Sequence, residues 1–210
     1  MSDHIGLHFD RAALLVVDMQ FDFIDGAMTV PGTAWVVPAV AEVAGAFRRA
    51  GQPVVHVIRY YPPGGSDVDS VRRSVIESGA RIAAPGTPGS LIPGELTGGG
   101  VVDLDHVGLL RGEMQDLGAG QVVLYKPRWS AFHRTRLHQW LTAAGVDSVV
   151  VAGCNLANCP RATLFDASAY DYRTGIVVDA VSGTTGERLD DLTLIGVNLL
   201  TTGQVVAALG

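Results

Sequence analysis

The apolar positions of this chain gather in short unbroken runs instead of alternating with polar ones. The runs fall at residues 13–17, 53–58, 121–125, 148–152 and 175–178, with a weaker one at 204–208. They are rich in valine and bounded by turn residues or helical patterns, the signature of strands covered on both faces of a sheet. Between them the spacing turns helical, over 38–50, 135–144, 161–171 and 189–200. Strands alternating with helices of this length predict βαβ units, right-handed crossovers and an α/β fold. The expected architecture is a doubly wound, mostly parallel six-stranded sheet within three αβα layers.

Residues 62–120 break the rhythm. They hold 13 of the 26 glycines and 5 of the 10 prolines, and outside two helical stretches, 67–78 and 104–117, their pattern is turn chemistry. The expectation is a single domain over 1–210 with a Gly/Pro-rich insertion that shapes a site entrance or a subunit contact. Composition narrows the classes. With 48% hydrophobic and 17% charged residues the chain builds a full core and is not disordered. Its sparse charge points to surface covered by another subunit. A net charge of −6 argues against a nucleic-acid partner. Residues 1–20 lack a signal peptide's basic start, and no apolar stretch has the length of a membrane span, so a cytoplasmic protein is expected.

In an open parallel sheet, ligands bind beyond the carboxyl ends of the strands. Asp18 ends the first run, Arg59, Tyr60 and Tyr61 the second, Lys126 the third, Gly153 and Cys154 the fourth, and Asp179 the fifth. Lys126 is the only lysine among 15 basic residues. Asp18 and Lys126 follow runs that should be buried, where a charge must be paired, solvated or used. Each alone also reads as a loop cap or as a lysine reaching solvent. The two cysteines, Cys154 and Cys159, have neither disulfide-framework nor metal-ligand spacing. Asn158-Cys159-Pro160-Arg161 reads as a helix start with proline in its first turn. A thiol there would face unpaired N–H groups and the positive helix end, which lowers its pKa; a buried structural cysteine is the alternative. Together, thiol, carboxylate and ammonium supply a nucleophile, a base for its proton and a charge that steadies both.

These segments resemble the isochorismatase-like cysteine hydrolases, a family that includes nicotinamidases, N-carbamoylsarcosine amidases and ureidoacrylate hydrolases. ALLVVDMQFDF resembles the family's first strand with its catalytic Asp, and YKPRWSAF its lysine strand. VVVAGCNLANC is similar to the strand-to-helix turn before the nucleophile, and GIVVDAVSG to the fifth strand. The resemblance covers nearly the whole chain. It implies a catalytic triad of Asp18, Lys126 and Cys159, with Cys159 and not Cys154 as nucleophile, no cofactor, and a homo-oligomer, dimer or tetramer. It also implies a cis peptide between Cys154 and Asn155, turning the Asn155 N–H toward an oxyanion hole shared with the Cys159 N–H. The implied reaction cleaves a C–N bond of a small amide, carbamoyl or ureido substrate through a thioester.

The chain also departs from the family. Nicotinamidases carry an Asp-x-His metal pair after the second strand, where this chain has Arg59-Tyr60-Tyr61, so no metal is expected; His56 lies mid-strand and reads as a core histidine. Arg161, just past Cys159, either binds a substrate carboxylate or pairs with Asp22 or Asp179. Arg128 and Trp129 line the pocket or pack the insertion, and Phe21, Tyr61, Trp129 and Phe132 are candidates for its wall. Two rivals stay open: a catalytically idle member serving as a binding or scaffold subunit, and an isochorismate-type vinyl-ether hydrolase, although members with that activity typically lack the cysteine. A nucleotide-binding flavodoxin-like domain is disfavoured, because the glycines at 98–100 follow no apolar strand.

Overall fold

The computed structural model describes residues 4–210. Every residue of the first strand, β1 (Ala12–Val17), is buried. Its side chains divide between two cores: Ala12, Leu14 and Val16 enter one, while Ala13, Leu15 and Val17 enter the other. Successive strand residues point to opposite faces, so a strand covered on both sides is apolar throughout. A short helix α1 (Phe21–Ile24) and the long α2 (Thr33–Arg49) lead to β2 (Val54–Ile58). The insertion contributes α3 (Ser70–Glu77), α4 (Gly94–Thr97), α5 (His106–Leu110) and β3 (Met114–Gly118). Then come β4 (Gln121–Tyr125), α6 (Leu137–Ala143), β5 (Ser148–Gly153) and α7 (Cys159–Ala169). The chain ends through β6 (Arg173–Val181), α8 (Gly186–Thr193), β7 (Asn198–Leu200) and α9 (Thr202–Leu209).

The sheet runs β3-β4-β2-β1-β5-β6-β7, and every pair is parallel except β3 with β4. On one face lie α2, α9 and apolar residues of the insertion, including Ile76, Ile92, Leu96 and Leu109. The other carries α6, α7 and α8 through Leu137, Leu141, Leu164 and Leu192. This is the three-layer α/β class expected. Among the described residues no helix is long and apolar enough to cross a membrane.

Four details of the expected architecture are corrected. The sheet has seven strands, not six, because β3 and β7 join it while the run at 204–208 does not; the stretch read as helix over 104–117 is the short α5 followed by the antiparallel edge strand β3. An edge strand half open to solvent carries polar residues, and Met-Gln-Asp-Leu-Gly shows no apolar run. The weak run at 204–208 is helix α9, started by a capping box in which Thr201 and Gln204 satisfy each other's backbone N–H groups. The end of the 189–200 helix is instead β7. Finally, α2 begins five residues before Pro38 and carries that proline inside it. Thr33, fully buried and hydrogen-bonded to Ser182 at 3.0 Å, anchors this early start against the lost backbone bond.

The insertion is fastened to the domain. Buried Asp22 accepts the N–H of Ala83 at 2.6 Å and that of Ala27 at 3.0 Å. Gly89 passes so close that a Cβ there would meet the Asp22 carboxylate at 2.2 Å. The result is a fixed wall over the carboxyl ends of β1 and β2.

Candidate active site

Strand order locates the site. The chain leaves β1 toward β2 and returns on its other side as β5, so a crevice opens beyond the carboxyl ends of β1 and β5, where a doubly wound sheet binds ligands. Gly153 closes β5 at φ +121°, and a Cβ on it would lie 2.2 Å from the Val17 carbonyl oxygen. Only glycine permits both the dihedral and the approach. Asp18 leaves β1 in the left-handed region, at φ +54°, with its N–H held by the Val57 carbonyl at 2.8 Å. This conformation is uncommon outside glycine, though aspartate tolerates it better than most.

Lys126 follows β4 and has no exposed surface. Its Nζ lies 2.9 Å from Asp18 Oδ2 and donates to Cys159 Sγ at 3.2 Å. The three residues that the sequence singles out therefore meet at one ammonium. Burial alone would lower the Lys126 pKa, but Asp18 and then Cys159 hold it above its ordinary value. Cys159 opens α7, with Asn158 as N-cap and Pro160 next in the first turn. Its thiol is pushed up to about 12, by burial first and by the Asp18 carboxylate second, against a smaller pull from Lys126. Burial and the Asp18 carboxylate thus oppose the lowering expected from the helix end. Cys154 is buried near Thr33 and Ser182, its thiol raised to about 11 by burial, and lacks the lysine contact.

A second correction concerns the turn between the cysteines. Among the described residues no peptide bond is cis, so Cys154–Asn155 is trans. The reversal is carried by Gly153 and by Asn158 at φ −125°, ψ −102°, without the roughly 3–4 kcal/mol a non-proline cis bond costs. Among the described residues the N–H groups of Asn155 and Cys159 donate to no acceptor.

A cleft open to solvent at its mouth holds Asp18 and Cys159 and extends under the insertion. Tyr61, Arg128 and Trp129 line it as expected. Phe21, Phe132 and Arg161 do not. Helix α1 presents Phe23 in place of Phe21. Phe132 packs in the core between Tyr170 and Tyr172, with ring centroids 5.4 and 5.8 Å away. Arg161 turns to Asp191 at 2.8 Å and lies over the Phe165 ring, so it pairs with neither Asp22 nor Asp179. Asp22 is occupied by the insertion, and Asp179 accepts the N–H of Thr202 at 2.8 Å, capping α9.

The sequence reading missed Asp69, Arg72, Asn158, Met28 and Val30, all of which line the cleft. It noted Arg59 as a strand end but gave it no role. Arg59 is buried, donates to the Lys126 carbonyl at 3.0 Å and to Asp69 Oδ2 at 2.9 Å, and lies 4.5 Å from the centre of the Tyr61 ring. Gln20, itself fully buried, brackets the Arg59 backbone by accepting its N–H at 2.7 Å and donating to its carbonyl at 2.9 Å. The run of charges at 67–73 was the available signal, though a helix start reads the same way. The donors for a metal do not fit: the stretch after β2 offers an arginine and two tyrosines, and among the described residues no three His, Cys, Asp or Glu side chains gather.

The chain is similar to several known proteins. Residues 12–205 match the family model described as the Isochorismatase domain. A protein of Arabidopsis thaliana named a probable inactive nicotinamidase is 38% identical over 180 residues, covering 84% of this chain and 83% of its own. The maleamate amidohydrolase of Pseudomonas putida is 33% identical over 185 residues, 86% of this chain and 75% of that protein. Among solved structures, an isochorismatase family protein from Desulfovibrio vulgaris superposes with a TM-score of 0.77 at 29% identity, covering 95% of this chain and 98% of that one. The N-carbamoylsarcosine amidase of Thermoplasma acidophilum gives 0.71 at 30% identity, covering 91% and 96%.

Proposed function

The chain belongs to the isochorismatase family, and from that premise we propose that it hydrolyses the C–N bond of a small amide, carbamoyl or ureido compound through a thioester on Cys159. The observation that carries this reading is Lys126 Nζ, 2.9 Å from the Asp18 carboxylate and 3.2 Å from the Cys159 sulfur. Relatives named maleamate amidohydrolase and ureidoacrylate amidohydrolase support the amide class.

In this mechanism Asp18 takes the thiol proton as the sulfur bonds the substrate carbonyl carbon. The N–H groups of Asn155 and Cys159, which have no acceptor among the described residues, receive the oxyanion, and donors of this kind are worth about 10²–10³ in rate. When the tetrahedral intermediate collapses the C–N bond breaks, and Asp18 gives its proton to the departing nitrogen. Water then attacks the thioester, losing a proton to Asp18, which returns it to the sulfur as the acid leaves. The Lys126 ammonium, within 2.9 Å of the carboxylate and 3.2 Å of the sulfur, pairs with whichever of the two carries the negative charge.

The test is turnover of a panel of amides, carbamoyl amino acids and ureido acids by wild type and Cys159→Ala, with mass spectrometry of the quenched wild-type enzyme. Turnover should vanish in the variant and an acyl adduct should map to Cys159; a variant that retains wild-type turnover rejects the nucleophile. A second reading, a catalytically idle member, has one observation behind it: the name of the Arabidopsis relative. A wild type inert to the whole panel would favour it.

A further inference from the structure

The first turn of α3 breaks two local rules at the wall of the cleft. Asp69 occupies the N-cap of α3, where an aspartate ordinarily accepts a backbone N–H of the first turn, yet its side chain caps nothing. It turns instead toward Arg59, which takes Oδ2 at 2.9 Å. Asp69 Oδ1 is left buried with no hydrogen-bond partner, on a residue only 9% exposed that lines the cleft. A buried lone pair of this kind is costly unless something fills it. Three residues on, Arg72 stands in the same turn, a cation at the helix end that disfavours cations. Of the arginines lining the cleft, Arg59 is paired with Asp69 and Arg128 with Asp67, whereas the Arg72 guanidinium has no partner among the described residues.

We propose that Asp69 and Arg72 read the substrate at the end away from the scissile bond. Asp69 Oδ1 accepts an N–H and Arg72 pairs with an anionic group beside it. This rests on the hydrolase reading above and sharpens it to ureido or acylamino acids in which a carboxylate sits next to an N–H. Arg59, with its guanidinium donating to both the Asp69 carboxylate and the Lys126 carbonyl, ties this reader to the strand that carries the catalytic ammonium.

Three probes differ by one feature each: N-carbamoylglycine has both groups, N-carbamoylsarcosine loses the N–H, and N-carbamoylglycinamide loses the charge. Calorimetry on Cys159→Ala separates binding from turnover. N-carbamoylglycine should bind about 10–100-fold more tightly than either analogue, the range of a hydrogen bond to a charged group. Adding Arg72→Met should bring its affinity down to that of the glycinamide while leaving thermal stability unchanged. Adding Asp69→Asn should erase the preference for N–H over N-methyl; if that variant does not fold, the comparison of glycine with sarcosine probe on Cys159→Ala decides this arm. Equal affinities for the three probes, binding of none, or discrimination unaltered in Arg72→Met overturns the inference. Discrimination without turnover in wild type would reject the hydrolase reading alone, and turnover without discrimination would reject only this one.

Discussion

Replacing Lys126 by methionine removes one charge and little volume from a position with no exposed surface. Asp18, 5% exposed, then keeps its carboxylate without the ammonium now 2.9 Å away, and its other oxygen already lacks a partner. Breaking a buried ion pair by deleting one member costs about 3–5 kcal/mol, because the remaining charge is stranded. At about 2–4 °C per kcal/mol for a chain of this size, the melting temperature should fall by roughly 6–20 °C. The double variant Lys126→Met/Asp18→Asn strands no charge, so its loss should be smaller than the sum of the two single losses by about 1–3 kcal/mol. Urea denaturation of the four proteins at pH 7, compared at constant m, measures both quantities. A cost below about 1 kcal/mol for Lys126→Met, or simple additivity across the cycle, would mean that the pair is not the buried, coupled unit described above.

Lys126→Arg keeps the charge but forces a planar guanidinium into space shaped for an ammonium, so it should lose about 1–3 kcal/mol of stability to overpacking and about 10²-fold in kcat on any amide the enzyme turns over; full activity would reduce the lone lysine to a compositional accident. His56 gives a pH signature. Its pKa is lowered to about 4, first by burial, its Nε2 bonds Gln121 at 3.0 Å, and its buried Nδ1 has no acceptor for a proton. The unfolded chain binds a proton near pH 6.5 that the folded one refuses until about 4, so stability should fall as pH drops through that window, by up to about 3 kcal/mol; His56→Phe should flatten that slope, and an unchanged slope would assign it elsewhere. With its thiol at about 12, Cys159 should react with iodoacetamide at pH 7.5 more slowly than free glutathione and accelerate at higher pH, reversing the expectation from the helix start alone; rapid neutral alkylation would show that the ammonium outweighs burial.

What the sequence displays most clearly is what two-sided burial forces on it. The central strands are built on apolar runs because both faces are covered, and the ends of those runs mark the crevice, so Asp18, Lys126 and the turn leading to Cys159 stand out in the sequence itself. Elements not subject to that constraint were misread. The edge strand β3 alternates with polar residues, β7 has three residues, and the start of α2 depends on a tertiary bond from Thr33 to Ser182. The pocket wall is the least legible part, since whether an aromatic faces the cleft or the core depends on packing. Phe21 and Phe23 differ by two residues on one short helix, and only Phe23 reaches the cleft.

Aspartates show where sequence alone stops and hydrogen-bond accounting begins. Asp18 follows β1, Asp22 and Asp69 stand at helix starts and Asp179 lies near the end of β6, and nothing in their neighbours ranks them. In the folded chain Asp22 fills both carboxylate oxygens with backbone N–H groups, and Asp179 takes the N–H and hydroxyl of Thr202. Those two hold the fold together. Asp18 and Asp69 each give one oxygen to a cation and keep the other buried and unpartnered, and both face the same cleft. An unfilled lone pair in a packed interior lowers stability unless a ligand supplies the missing proton, so sites where it persists are where function is expected. In the mechanism proposed above, the proton missing at Asp18 is the thiol's; in the proposed substrate reading, the one missing at Asp69 is brought by the substrate.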